Sequence, residues 1–359
     1  MAQQNKKRKH GEDLEPAQQG LPSPIIFLAR GVNADTRFTV FRQQFHLHSS
    51  GLKHHSNYFR KFLNSADKSP APASALFKYD YCSVIDEDGS WALMPASDSP
   101  EITDQKIAVI DGPEKEIEAV RKLLCAIHSK RYKIETADEL ERLTRLADYH
   151  CALPVVSATL TGALFKSSMF EISPMISIYD AQGCEIHDNS VSLLLLARKL
   201  RNGVLFRECL IHTVGRWDFL PDPEKEMIKE DQELYKLVRI KLSFLYETLS
   251  KSQIALFRAL VEEEITLHKI AQYASPRTLI GEYLPMYRAL WDENPFYSLS
   301  PNEETKDLGD FMPDLLKNNL TLGCTGEIPG RKDSVFEHTF LCTEVEDDEF
   351  PWDMEEMDW

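Results

Sequence analysis

Phe45-His46-Leu47-His48-Ser49-Ser50-Gly51-Leu52-Lys53-His54-His55-Ser56-Asn57-Tyr58-Phe59 is the stretch on which the fold turns. Its first part, Phe45-His46-Leu47, is separated from an earlier apolar run, Phe38-Thr39-Val40-Phe41, by the polar Arg42-Gln43-Gln44. Two such runs around a polar break predict a second strand or a hairpin. The second part changes period: Leu52, Tyr58, Phe59, Phe62 and Leu63 fall at helical spacing, which predicts a helix over 51–63. Leu52, Tyr58 and Phe59 can pack that helix onto the sheet, each large side chain contributing about 1.5–3 kcal/mol when buried. His48 stands where strand meets helix, where a neutral imidazole can donate to a backbone carbonyl. Ser56 can bond back into the helix. All these roles maintain a fold rather than perform chemistry.

Working outward, residues 1–22 are polar and hold too few apolar groups to fold, so a disordered basic tail is expected. Ile25 to Ala29, between Pro24 and Gly31, suits a short buried strand. Phe77 to Ile85 alternates with period two, a third strand, followed by an insertion, Asp86 to Asp104, anchored by Trp91. Helices dominate from Pro113: Ile117, Val120, Leu124 and Ile127 share a face, and Thr136-x-x-Glu139 is a capping box for the helix carrying Leu140, Leu143 and Leu146. Pro154 suits the first turn of a further helix. A domain of residues 23–172 is therefore expected to end in the loop from Ser173 to Asn189. Residues 190–292 read as an all-helical module, with Asn189 or Ser190 capping Val191–Arg201, Gly203 stopping it, and later helices marked by Leu234 to Leu245 and Ile254 to Leu260. Residues 293–359 are expected to be poorly ordered, with a small hairpin of Leu320–Cys324 and Phe340–Cys342 and a final seventeen residues kept disordered by charge. The fold class is α+β.

Composition narrows function. The chain of 359 residues carries 43% hydrophobic and 27% charged residues, an ordinary globular balance. Its net charge of −16 argues against direct nucleic-acid binding, which needs a basic surface to release counterions. Nine acids and no Lys or Arg lie between Thr343 and Trp359; the remainder carries 48 acids against 41 bases, a net −7. Seven cysteines (82, 125, 151, 184, 209, 324 and 342) are scattered without a Cys-x-x-Cys pair and read as small buried hydrophobes. No secretory leader is written at the N-terminus and no stretch approaches a membrane span, so an intracellular place, cytoplasm or nucleus, is expected.

The spacing Phe45-x-x-His48-x-x-x-Leu52-x-x-x-Ser56-x-Tyr58-Phe59 resembles the hallmark of BTB/POZ domains. There a strand ends in Phe-x-x-His and a helix follows with Leu-x-x-x-Ser-x-Tyr-Phe. Ala147-Asp148-Tyr149-His150-Cys151-Ala152-Leu153-Pro154 further resembles the BTB proteins numerous in filamentous fungi. The resemblance covers roughly residues 24–165 and implies a small sheet clustered with helices. It requires Phe45 and Leu52 to share one subdomain. It also implies a protein-interaction scaffold or adaptor without catalytic activity or cofactor, whose partners are other proteins. A weak homodimer held by apolar helix faces is expected, because Pro24 at the head of the first strand removes an N–H from any exchanged strand. Other functions in or near the family are transcriptional co-regulator and substrate adaptor of a cullin-type ubiquitin ligase. The chain lacks the family's acidic residue at the first strand, its apolar-x-Glu triplet after the first helix, and any kelch or zinc-finger repeats.

Other candidate residues carry weaker signals. His46, His48, His54 and His55 lack a carboxylate or Cys spaced to complete a tetrahedral metal site. His150 and Cys151 are adjacent, about 100° apart on a helix, and cannot form a nucleophile–base pair. Lys6-Lys7-Arg8-Lys9 is either a quartet read by a nuclear-import receptor or plain solubilising charge. Phe350, Trp352, Met354, Met357 and Trp359 among carboxylates are either a partner-docking segment or a solvated tail.

Overall fold

The computed structural model describes residues 22–28, 31–65, 75–99, 103–173, 183–261, 279–293, 306–356 and 359. The chain begins with strands β1 (Ile25–Ile26), β2 (Thr36–Val40) and β3 (Gln43–Leu47), then short helices α1 (Ser49–His55) and α2 (Asn57–Phe62). Strands β4 (Tyr79–Ile85) and β5 (Trp91–Pro95) follow, with one helical turn α3 (Asp104–Ile107). Helices α4 (Pro113–Ile127), α5 (Ala137–Tyr149) and α6 (Leu153–Leu164) lead to a minimal ladder of β6 (Ile172–Ser173) and β7 (Gly183–Cys184). Among the described residues that follow, the helices are α7 (Glu185–Asp188), α8 (Ser190–Lys199), α9 (Gly203–Gly215), α10 (Asp222–Glu230), α11 (Gln232–Val261), α12 (Leu284–Glu293) and α13 (Lys306–Leu316). A long coil closes the chain. The class is α+β.

Two compact units emerge, one of residues 1–49 and 66–113, the other of residues 50–65 and 114–359. The division falls inside the Phe45–Phe59 segment, so the expectation that Phe45 and Leu52 share a subdomain is not met. Nor does the chain part at 173–189: helices on both sides of that loop belong to the second unit. The ladder hydrogen bonds hold the first unit, while Tyr58 and Phe59 of α2 pack on Tyr149 and His150 of the second.

The first unit is a five-stranded mixed sheet of order β1-β3-β2-β4-β5. Its pleat matches the period-two pattern: Thr36, Phe38, Val40, Phe45, Leu47, Tyr81, Ser83 and Ile85 are buried, with half-exposed residues between. The β2–β3 hairpin turns on Phe41 and Arg42, both at positive φ (45° and 77°), one residue earlier than the polar break suggests. This left-handed pair suits the right-handed twist of a two-residue hairpin loop. Burial repays the strain at Phe41: its ring meets Trp91 edge-on at 5.3 Å and its N–H donates to Ser83 Oγ at 3.0 Å. Arg37, opposite Asp80 in register, forks onto that carboxylate, with Nε at 2.9 Å. The insertion after Asp86 is a hairpin returning along β4 as β5. Of the strand expected at Ile25–Ala29, Ile25–Ile26 forms on the sheet edge with Ile26 55% exposed, and Ala29 lies outside the described residues.

In the second unit the expected helix 51–63 is two helices broken at Ser56, whose hydroxyl accepts from Phe59 N–H at 3.0 Å and caps α2. Half of the expected capping box forms: Thr136 Oγ1 accepts from Glu139 N–H at 3.2 Å, while the Glu139 carboxylate takes the N–H of Glu135, one residue before the cap, and buried Lys122. Glu116, buried on α4, binds Arg142 and Arg145 of α5. Gly203 does not stop α8. It is the first residue of α9, capped by Asn202 accepting from Leu205 N–H at 3.0 Å.

The largest difference lies at the C-terminus. Residues 317–356, expected to be poorly ordered, are packed: Leu320, Phe336, Phe340, Leu341 and Phe350 are buried, and Ile211, Leu320, Phe336 and Leu341 form one apolar cluster. The expected hairpin is a single parallel bridge, Asn318 to Leu341. The acidic tail is held by cations of the helices, through Lys241 to Glu349 at 2.5 Å, Arg201 to Glu356 at 2.7 Å, and Arg207 to Asp347. Charge density does not keep a segment disordered when bases are placed to meet it.

Candidate functional site

The motif residues divide between the two units. Phe45 is buried in β3 against Phe38 in register, and His48 is half-buried just after it. Leu52, Ser56 and Phe59 are buried in α1–α2, with Tyr58 half-buried. Ser56 does more than its sequence implies: besides capping α2, its hydroxyl donates to the His150 carbonyl. His150 is buried, its ring stacked on Phe59 at 4.8 Å, and burial pushes its pKa down to about 3. Tyr58 lies 5.0 Å over Phe62 and 5.5 Å from Tyr149. The resemblant segments around Phe59 and His150 are thus brought together as a packing joint. Cys151 is exposed at φ +48°, after α5 has ended.

Of the tail residues, Phe350 is buried, Trp352 and Trp359 are half-buried and Met354 is exposed, while Met357 lies outside the described residues. Phe350 stacks on Trp352 at 4.7 Å, and Phe206 of α9 meets both rings edge-on. The Arg207 guanidinium lies 4.7 Å over Phe350 and that of Arg201 4.6 Å over Trp359. Their apolar surface is engaged within the chain, which is not the geometry of a free docking segment. Lys6, Lys7, Arg8 and Lys9 lie outside the described residues.

One polar cluster was not legible in the sequence, because its members are distant in the chain. Thr339 Oγ1 lies 3.1 Å from His187 Nε2, and His187 Nδ1 lies 3.0 Å from Asp188. A hydroxyl, imidazole and carboxylate in that order can activate a nucleophile. Here Thr339 is 3% exposed, and Arg216 Nη1 points at the same His187 Nδ1 from 3.1 Å, competing for the atom that a carboxylate must orient. Arg216 also donates to the His187 carbonyl. Beside it, His212 is fully buried with both ring nitrogens unpartnered, and burial holds its pKa well below the ordinary imidazole value. The cluster fixes the closing coil to α7 and α9. Nearby, Glu208 accepts from the N–H groups of Thr321, Leu322 and Gly323 at 2.9–3.4 Å. Cys184 and Cys324 bring their sulfurs to 4.0 Å.

A surface cavity of about 340 Å³ lies between α11 and the closing coil, lined by Lys241, Phe244, Lys317, Thr343 and Glu349 among others. Its cations are already paired, Lys241 with Glu349 and Lys317 with Glu344. Among the described residues no group of three or more His, Cys, Asp or Glu could hold a metal, and no helix is long and apolar enough to cross a membrane. Large apolar side chains stand out on α11 instead: Ile240, Phe244, Ile254 and Phe257 are 39%, 58%, 51% and 66% exposed. In the sequence, Ile254 and Phe257 mark a helix together with Leu256 without showing which of them face outward. What distinguishes them is phase, since Leu234, Val238, Leu242, Leu245, Leu249 and Leu256 already fill the inner face of the helix.

Compared with known proteins, the chain matches no family model, no curated protein and no solved structure.

Proposed function

We propose that this chain is a protein-interaction scaffold without catalytic activity. The observation that carries the reading is the outward face of α11, which presents Phe244, Ile254 and Phe257 to solvent, whereas Glu208 and His187 are engaged by the closing coil. Several large apolar side chains exposed along one helix support an interaction surface there. Kinship with BTB proteins rests on the Phe45–Phe59 spacing and on a strand followed by two short helices. Against it stands the division of that segment between two compact units. A co-regulator acting through its acidic-aromatic tail is not favoured, because Phe350 and Trp352 are packed against Phe206.

The test is quantitative co-purification from cells with the full chain, wild type against Phe257→Asp. Proteins retained by wild type and lost by the variant, at equal thermal stability of the two chains, support a scaffold acting through α11. An identical set of companions for both chains removes α11 as the surface. Companions absent from both remove the scaffold reading.

A further inference from the structure

The exposed face of α11 has a regular order. Ile240, Phe244, Glu247, Lys251, Ile254 and Arg258 are all exposed and follow at offsets of four, three, four, three and four. That alternation is the heptad seam of a coiled coil, and it keeps six side chains on one stripe roughly 27 Å long. It lies opposite the buried face carrying Leu234, Val238, Leu242, Leu245 and Leu249.

The stripe is also symmetric about its centre. Glu247 and Lys251 lie two residues on either side of Leu249, Phe244 and Ile254 five, and Ile240 and Arg258 nine. Let a second α11 cross antiparallel on the exposed stripe, with a two-fold axis at the height of Leu249 along the helix. Glu247 of each copy then faces Lys251 of the other, Phe244 faces Ile254, and Ile240 meets the aliphatic stem of Arg258. Every contact occurs twice, as an isologous two-fold interface requires. A parallel pairing would set Glu247 against Glu247 and Lys251 against Lys251, and like charges at the centre of a seam disfavour it. Within one chain Glu247 and Lys251 already pair at 2.7 Å with both side chains about half exposed, the Lys251 ammonium also lying 5.8 Å over the Phe311 ring, so a second copy extends the pair into a four-charge network.

We infer that the occupant of this face is a second copy of the chain, and that the protein forms an antiparallel homodimer through the stripe Ile240–Arg258 of α11. This goes beyond the scaffold reading and needs no other protein. It places self-association on the helical unit, far along the chain from the helix 51–63 on which the sequence resemblance would put it.

The experiment is sedimentation equilibrium of the purified full chain from about 1 to about 200 µM, a span that brackets an ordinary reversible dimer. Wild type is expected to show a monomer–dimer equilibrium. Phe244→Asp should remove it. Glu247→Lys and Lys251→Glu should each weaken it about tenfold or more, since each sets like charges across the seam. The double variant E247K/K251E should return to within about threefold of wild type, because exchanging both charges restores every pair. That recovery separates an interface from damage to the fold, as does an unchanged thermal midpoint for variants at these exposed positions. A wild type monomeric throughout overturns the inference. So does a dimer indifferent to F244D, or a double variant as weak as the single ones.

Discussion

At the scale of single residues, Leu52 and His150 carry more of the helical unit than their chemistry suggests. Leu52 is 0% exposed, so Leu52→Ala should cost about 2–5 kcal/mol, transfer and cavity effects together. Urea unfolding with an unchanged midpoint would place the core elsewhere. His150 has a different signature. Its ring lies flat on Phe59 in a dry site, and burial lowers its pKa to about 3 in the folded state. Unfolded, a histidine titrates near 6.5. Between those values the unfolded chain binds the proton and the folded one does not, so stability is complete above about pH 6.5 and falls as pH drops toward 3. His212 is shifted in the same direction by complete burial. Each such group withdraws up to about 1.4 kcal/mol per pH unit within the window. Denaturation midpoints measured from pH 7 to pH 5 should therefore fall, and His150→Leu should make that fall shallower. An identical slope in the variant would show that His150 is not buried neutral.

Elements were legible where burial has a period, and illegible where it has none. The strands at Phe38–Val40, Phe45–Leu47 and Tyr79–Ile85, and the helices α4, α5, α8 and α9, all follow from spacings of two or of three and four. The break at Ser56 was hidden because the apolar positions of α1 and α2 stay in helical register across it; the Ser56 cap on Phe59 N–H and its bond to the His150 carbonyl account for it. Ser56→Ala removes both this bond and the cap of α2, and should cost about 1–3 kcal/mol by urea titration. The closing coil escaped reading for the opposite reason. Its buried residues, Leu320, Phe336, Phe340, Leu341 and Phe350, are irregularly spaced and fit surfaces made by other helices. Gly215 shows how close the fit is: a Cβ there would lie 1.7 Å from the Phe340 carbonyl oxygen, while Phe340 N–H donates to Gly215 O at 3.1 Å. Gly215→Ala must push the coil away from α9. Limited proteolysis should then cut between residues 318 and 350 at protease levels that leave wild type whole; equal resistance would show that the coil does not depend on this approach.

On the scale of the whole molecule, the acidic end decides between two physical pictures. A solvated tail contributes nothing to stability, and its removal relieves self-repulsion in a chain of net charge −16. A packed tail is part of the core. The structure supplies what the second picture needs: Phe350 is 7% exposed between Phe206 and Trp352, and Gly203 leaves the space that its ring occupies. Lys241, itself 7% exposed, has the Glu349 carboxylate as its partner at 2.5 Å. A chain ending at Cys342 loses the burial of Phe350, about 1.5–3 kcal/mol. It also removes the Glu349 carboxylate from Lys241, but Lys241 lines the cavity that the tail helps to enclose and becomes hydrated once the tail is gone, so losing that pair adds little. Relief of charge repulsion acts the other way, but between exposed carboxylates it is screened within about 8 Å at physiological salt. The losses therefore outweigh the gain. For a unit of this size each 1 kcal/mol lowers the thermal midpoint by about 2–4 °C, so the truncated chain should melt several degrees below the full one in calorimetry. Adding salt should narrow the difference only slightly, because most of it is apolar. A truncated chain melting at or above the full-length midpoint would return the last seventeen residues to solvent and leave α9 and α11 with faces that the tail does not cover.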